Sequence, residues 1–137
     1  MLLDVLSRYL GSIEAEVRKL EGSYVERYEE EIIAANRVNL RIRVRFPSGH
    51  MLELNEAIVG EGDHTRHLGY RYHFQDGENN VVFRYDNTPH FPSLDNFPHH
   101  KHLPDRVASV EQPSIVNAIK EARQLSEQAK PNSNSNM

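Results

Sequence analysis

Apolar residues recur at steps of three and four along the first twenty positions. Leu3, Leu6, Leu10, Ile13, Val17 and Leu20 form one stripe, with Glu14, Glu16, Arg18 and Lys19 mostly off it. That period predicts an amphipathic helix from Leu2 to Leu20, with Gly11 as a point of weakness and Glu21-Gly22 as its end. Beyond it the period changes to two. Tyr24 to Tyr28 reads as a strand that enters a charged bend at Glu29-Glu30-Glu31. Val38, Leu40, Ile42, Val44 and Phe46 then alternate strictly with Asn39, Arg41, Arg43 and Arg45, the pattern of a strand with one dry and one wet face.

Pro47-Ser48-Gly49 supplies turn chemistry, and Met51 to Val59 returns as the second arm of a hairpin. Gly60 to Gly69 reads as a polar loop. A second hairpin follows, Tyr70-Tyr72-Phe74 against Val81-Phe83-Tyr85 around Asp76-Gly77. With the aromatics in the core, its outer face carries Arg71, His73, Arg84 and Asp86. Pro89, Pro92, Pro98 and Pro104 make the stretch from Asn87 to Asp105 an irregular, restrained loop. Pro113-Ser114 opens a last helix that runs to about Gln128, and the segment from residue 129 to 137 is a polar tail with the composition of disorder. The order gives an α+β class: an N-terminal helix, an antiparallel sheet of about four to five strands, and a C-terminal helix.

At 137 residues with 38% apolar composition, the chain supports one core, and residues 1–128 are read as a single domain. The absence of cysteine removes disulfides, thiolate catalysis and sulfur-bound zinc. The N-terminus, with Asp4 where a signal peptide carries basic residues, and the lack of any long apolar run point to a cytoplasmic protein without a membrane span. A net charge of −4 argues against indiscriminate binding to nucleic acid.

Seven of the eight histidines fall between His64 and His102, and His90, His99, His100 and His102 share the proline-restrained loop. Imidazole both accepts and donates a proton near neutrality. Arg84 and Lys101 offer charge to a phosphate, and Asp86 can orient an imidazole. Together these are the groups of a metal-independent ribonuclease, with Arg41, Arg43 and Arg45 as a guide for the RNA backbone. Each feature also has an ordinary explanation. Alternating arginines are what the solvated face of a strand carries, strand aromatics are core, and a lone histidine is a surface residue. A metal site built from imidazoles and Asp86, for Zn²⁺, Ni²⁺ or Fe²⁺, is the chemical rival. No spacing matches a specific ligand signature, and an extended course is expected to set His100 and His102 on opposite sides. No metal or other cofactor is assigned. A binding module without catalysis is the third reading. His64 and His67 have no motif support.

At Tyr72-His73-Phe74, at Phe83 to His90 and at Phe97 to His102, the chain resembles the TumE-type toxins of toxin–antitoxin modules, through an R-Y-D-N-x-P-H and a P-H-H-K-H motif. The resemblance extends from the first helix to about Ala122. It implies a type II toxin encoded beside a helix-turn-helix antitoxin that neutralises it by direct contact, an RNA substrate, and an architecture of the RelE-like or related small-ribonuclease kind. The motif falls on Arg84, Asp86, His90, His99, His100, Lys101 and His102. Homo-oligomerisation is left open.

Overall fold

In the computed structural model, residues 2–88 and 97–129 are described; His90 and the polar tail from residue 130 onward lie outside them. Helix α1 (Asp4–Arg18) leads into seven strands, β1 (Tyr24–Ala34), β2 (Arg37–Arg45), β3 (Met51–Glu61), β4 (His64–Gln75), β5 (Val81–Asp86), β6 (His100–Leu103) and β7 (Arg106–Ser109), and helix α2 (Ile115–Gln128) closes the chain. The strands lie in sequence order in one sheet, each antiparallel to the next. The α+β plan is that expected, but the sheet has seven strands in place of four to five.

The two extra strands, β6 and β7, and the added length of β1, β3 and β4 come from segments whose own patterns are poor. Glu29 to Glu31 continue β1 without a bend, because β1 is an edge strand exposed along nearly all its length, with no dry face to impose alternation. The polar stretch after Gly60 belongs to the far ends of β3 and β4, joined by a tight turn in which Gly62 has a φ of 62°. His100 to Leu103, inside the stretch expected as loop, forms β6 against β5, and Arg106 to Ser109 follow as β7 against β6. Helix α1 runs through Gly11 unbroken, and α2 begins where Ser114 Oγ accepts from Asn117 N at 3.0 Å.

Both helices cover one face of the sheet. Leu6, Leu10, Ile13 and Val17 of α1 and Ile115, Ala118, Ile119 and Ala122 of α2 join one buried cluster with Val38, Leu40, Ile42, Val44, Leu52, Leu54, Ile58, Tyr70, Tyr72, Phe74 and Phe83. Burial of each large apolar side chain contributes roughly 1.5–3 kcal/mol. At Gly60 an added Cβ would lie 3.1 Å from Val5 Cγ1 and 3.3 Å from Leu6 Cγ, so glycine lets α1 approach β3. The opposite face carries the polar set. Continuous register aligns one row across it, Glu29, Arg41, Asn55, Arg71, Asp86 and His100, and beside it a second, Arg27, Arg43, Glu53, His73, Arg84 and His102.

Candidate active site

The two rows meet most densely at β5 and β6. Asp86 ends β5 and is paired directly with His100, while Arg84 is paired with His102. Side chains two residues apart on a strand share a face, so the four groups converge on the side away from the helices. The expectation that His100 and His102 diverge miscounted that period. Asp86 Oδ1 lies 2.7 Å from His100 Nε2, and Asp86 Oδ2 lies 3.6 Å from both His102 Nε2 and Arg84 Nε. The two imidazoles meet edge to face with centroids 4.8 Å apart.

Burial divides these groups. The Asp86 and His100 side chains are 7% and 2% exposed, whereas His102 and Arg84 retain 23% and 30%, so the latter two are the more accessible to solvent. His100 Nδ1 lies 2.9 Å from the Pro98 carbonyl oxygen. A carbonyl oxygen only accepts, so Nδ1 carries the proton and Nε2 is directed at Asp86. The 2.7 Å separation there is favourable with a proton or a cation between the two atoms. One ligand atom each from Asp86, His100 and His102 lies within 4.8 Å of the others, and the Pro98 contact is the kind of hydrogen bond that orients a metal-binding imidazole.

His99 and Lys101 alternate to the other face. The His99 ring stacks on Tyr70 at 5.8 Å, with its Nδ1 2.8 Å from the Tyr70 hydroxyl, and burial, followed by the neighbouring His100 and His67, lowers its pKa. Lys101 Nζ donates to Glu121 of α2 at 2.8 Å and sits over the Tyr85 ring at 4.8 Å from its centroid. Burial works against the Lys101 charge, but the Glu121 and Tyr85 contacts outweigh it and raise its pKa. Among the four arginines of β2, Arg43 donates to Glu53 and Arg45 to Glu26, while Arg37 and Arg41 have no carboxylate within 4.0 Å among the described residues.

Two further groups were not singled out from the sequence. His73 flanks Arg84 on the side opposite His102, with its Nε2 2.9 Å from Gln75 Oε1. Strand alternation had already set it on the outer face with Arg84, which was the available signal. Glu56 is 4% exposed on the helix face, where it accepts from Tyr9 at 2.7 Å, from His67 Nε2 at 2.9 Å, and from the Tyr72 hydroxyl. Burial and then the Glu56 charge raise the pKa of both tyrosines, which therefore serve as neutral donors. Gln112 Nε2 in turn donates to His67 Nδ1 at 3.1 Å. Glu56 was visible as a charge at an apolar-face position, in the series Leu52, Leu54, Glu56, Ile58.

The chain matches the family model described as Toxin TumE over residues 13–129. It belongs to the TumE toxin family. The matched span begins inside α1 and contains all seven strands and α2, so the Asp86, His100, His102 and Arg84 group lies within it. No curated protein and no solved structure matches the chain. Membership supports a toxin role and, with it, an antitoxin as partner. No helix among the described residues is long and apolar enough to cross a membrane.

Proposed function

We propose that this TumE-family protein is the toxin of a type II toxin–antitoxin system and acts in the cytoplasm as a metal-independent endoribonuclease. The observation that carries this reading is the Asp86 carboxylate held between His100 and His102, with Arg84 at 3.6 Å, in a chain of a toxin family. Cleavage proceeds by attack of a ribose 2′-oxygen on the adjacent phosphorus. The P–O5′ bond breaks, a base takes the 2′-hydroxyl proton and an acid returns one to the 5′-oxygen. His102, the more exposed of the two imidazoles beside Asp86, transfers one proton, and His73, across Arg84 from it, transfers the other. Arg84 neutralises charge on the phosphorane oxygens. Asp86 and the buried His100 position His102. The cognate helix-turn-helix antitoxin neutralises the toxin by covering this face. The helix-plus-antiparallel-sheet plan is of the general kind used by RelE-like small ribonucleases, an analogy of architecture only.

A metal-dependent hydrolase is the second reading, favoured by the ligand atoms of Asp86, His100 and His102 lying within 4.8 Å. Induced expression in cells separates toxic from inert variants: wild type arrests growth, and His102→Ala and Arg84→Ala do not. With purified protein, RNA cleavage persists in EDTA if the acid–base reading holds. Complete loss in EDTA with recovery on added Zn²⁺ would transfer the function to the metal reading.

A further inference from the structure

We infer that the sheet face beside the proposed active site contains a separate subsite for the phosphate backbone of single-stranded RNA, formed by Arg37, Arg41 and Arg71. The inference rests on the endoribonuclease reading for its choice of ligand, but the site is defined by its own geometry. The three arginines line a cleft of about 450 Å³ over β2, β3 and β4. Ala57 and Gly69, cross-strand partners on the same face, leave its floor without long side chains. The nearest atom to a Cβ built at Gly69 is 3.9 Å away, so packing does not demand a residue this small there. All three arginines are exposed, and none has a carboxylate within 4.0 Å among the described residues. Their neighbours Arg43, Arg45 and Arg66 each pair with a glutamate. The cationic charge that the sheet leaves uncompensated is therefore collected in the cleft.

Register gives the cleft a direction. Arg41, Asn55, Arg71 and Asp86 lie in one line across β2 to β5. At the usual strand spacing Arg71 is ~5 Å and Arg41 ~14 Å from Asp86 along that line, measured at the backbone. Glu29 and Glu31 on β1 bound the cleft at the sheet edge, so an anionic chain leaves it toward Asp86 and His102. A guanidinium fork matches the two free oxygens of a phosphodiester. The aromatic rings of β4 and β5 face the helices and are not available for stacking bases, so this subsite grips backbone without reading sequence.

The test is binding of a fluorescent 2′-O-methyl oligonucleotide, which resists attack by a 2′-hydroxyl, to the full chain across a salt series. Arg71→Ala, Arg41→Ala and Arg37→Ala should each weaken binding roughly two- to five-fold at moderate salt and lower the slope of log affinity against log salt by about 0.7. Arg18→Ala, far from the cleft on α1, should change neither. Folding of each variant is checked by thermal unfolding. Equal affinity and slope in the folded triple variant overturn the subsite, even where the wild type cleaves RNA. The converse result, arginine-dependent binding without cleavage by the wild type, keeps the subsite and removes the endoribonuclease reading. Unchanged RNA binding with lost binding of the purified antitoxin would assign the cleft to an acidic protein segment and overturn the inference.

Discussion

Replacing Tyr72 by phenylalanine removes one oxygen from the molecule and leaves every apolar contact of the ring in place. Tyr72 is 0% exposed, and its hydroxyl donates to Glu56, whose side chain is also fully buried. A hydrogen bond to a charged group contributes about 1.5–3 kcal/mol, and here water cannot replace the lost donor. Tyr72→Phe should therefore cost about 2–3 kcal/mol. Tyr9→Phe, which removes a donor to the other Glu56 oxygen at a partly buried position, should cost about 1 kcal/mol. Because both donors serve one carboxylate, the double variant should depart from additivity. Urea unfolding monitored by circular dichroism reads these as shifts in midpoint at constant slope. A Tyr72→Phe protein within about 0.5 kcal/mol of wild type would refute the view that Glu56 is held as a structural carboxylate by its tyrosine donors. The same variant should keep its RNA cleavage, since Glu56 lies on the helix face and Asp86 on the other. Loss of cleavage in folded Tyr72→Phe would move the active site to Glu56.

Gly60→Ala should destabilise the fold by about 1–3 kcal/mol, because the new methyl presses on Val5 and Leu6 and α1 must shift; a Tm equal to wild type would contradict that packing. His99 and His50 both have pKa values lowered in the folded state, mainly by burial. The unfolded chain therefore protonates first, at about 6.5, so their contribution is fully present above that pH and is lost as pH falls through the folded values. Stability should decline from pH 7.5 to 5, and a His50→Phe, His99→Phe double variant should show a shallower decline; an unchanged slope would exclude these two rings as its source. Lys101→Ala should lower stability through Glu121 and Tyr85 while sparing toxicity, whereas a folded, non-toxic variant would place Lys101 in the reaction.

The strands legible from sequence are those whose two faces differ. β2 lies within the sheet with one face against the helices, so Val38, Leu40, Ile42 and Val44 alternate with polar residues, and its bounds could be read directly. β1 has no such contrast, and β6 has only four residues behind Pro98; it is a strand by virtue of pairing with β5. The alternation that separates His100 and His102 from His99 and Lys101 was open to a correct count of the strand period, since residues two apart share a face. Motif and composition named Arg84, Asp86, His100 and His102, but their convergence depends on cross-strand register, which local pattern does not encode. The same register brings Arg71 into line with Asp86 and aligns His73 with Arg84, and it separates Arg43 and Arg45, each paired with a glutamate, from Arg41. His67 sits in the polar far end of β4 and gains its role only from Glu56 on the neighbouring strand.

The chemistry of the RNA ends decides most directly whether the outer face is an acid–base ribonuclease. Purified wild-type protein is incubated with RNA in EDTA, and the products are analysed by mass spectrometry. Attack by the 2′-oxygen predicts 2′,3′-cyclic phosphate and 5′-hydroxyl termini, a bell-shaped dependence of rate on pH, and loss of product in folded His102→Ala. Intact RNA in EDTA, or metal-restored cleavage that leaves a 5′-phosphate, would contradict it.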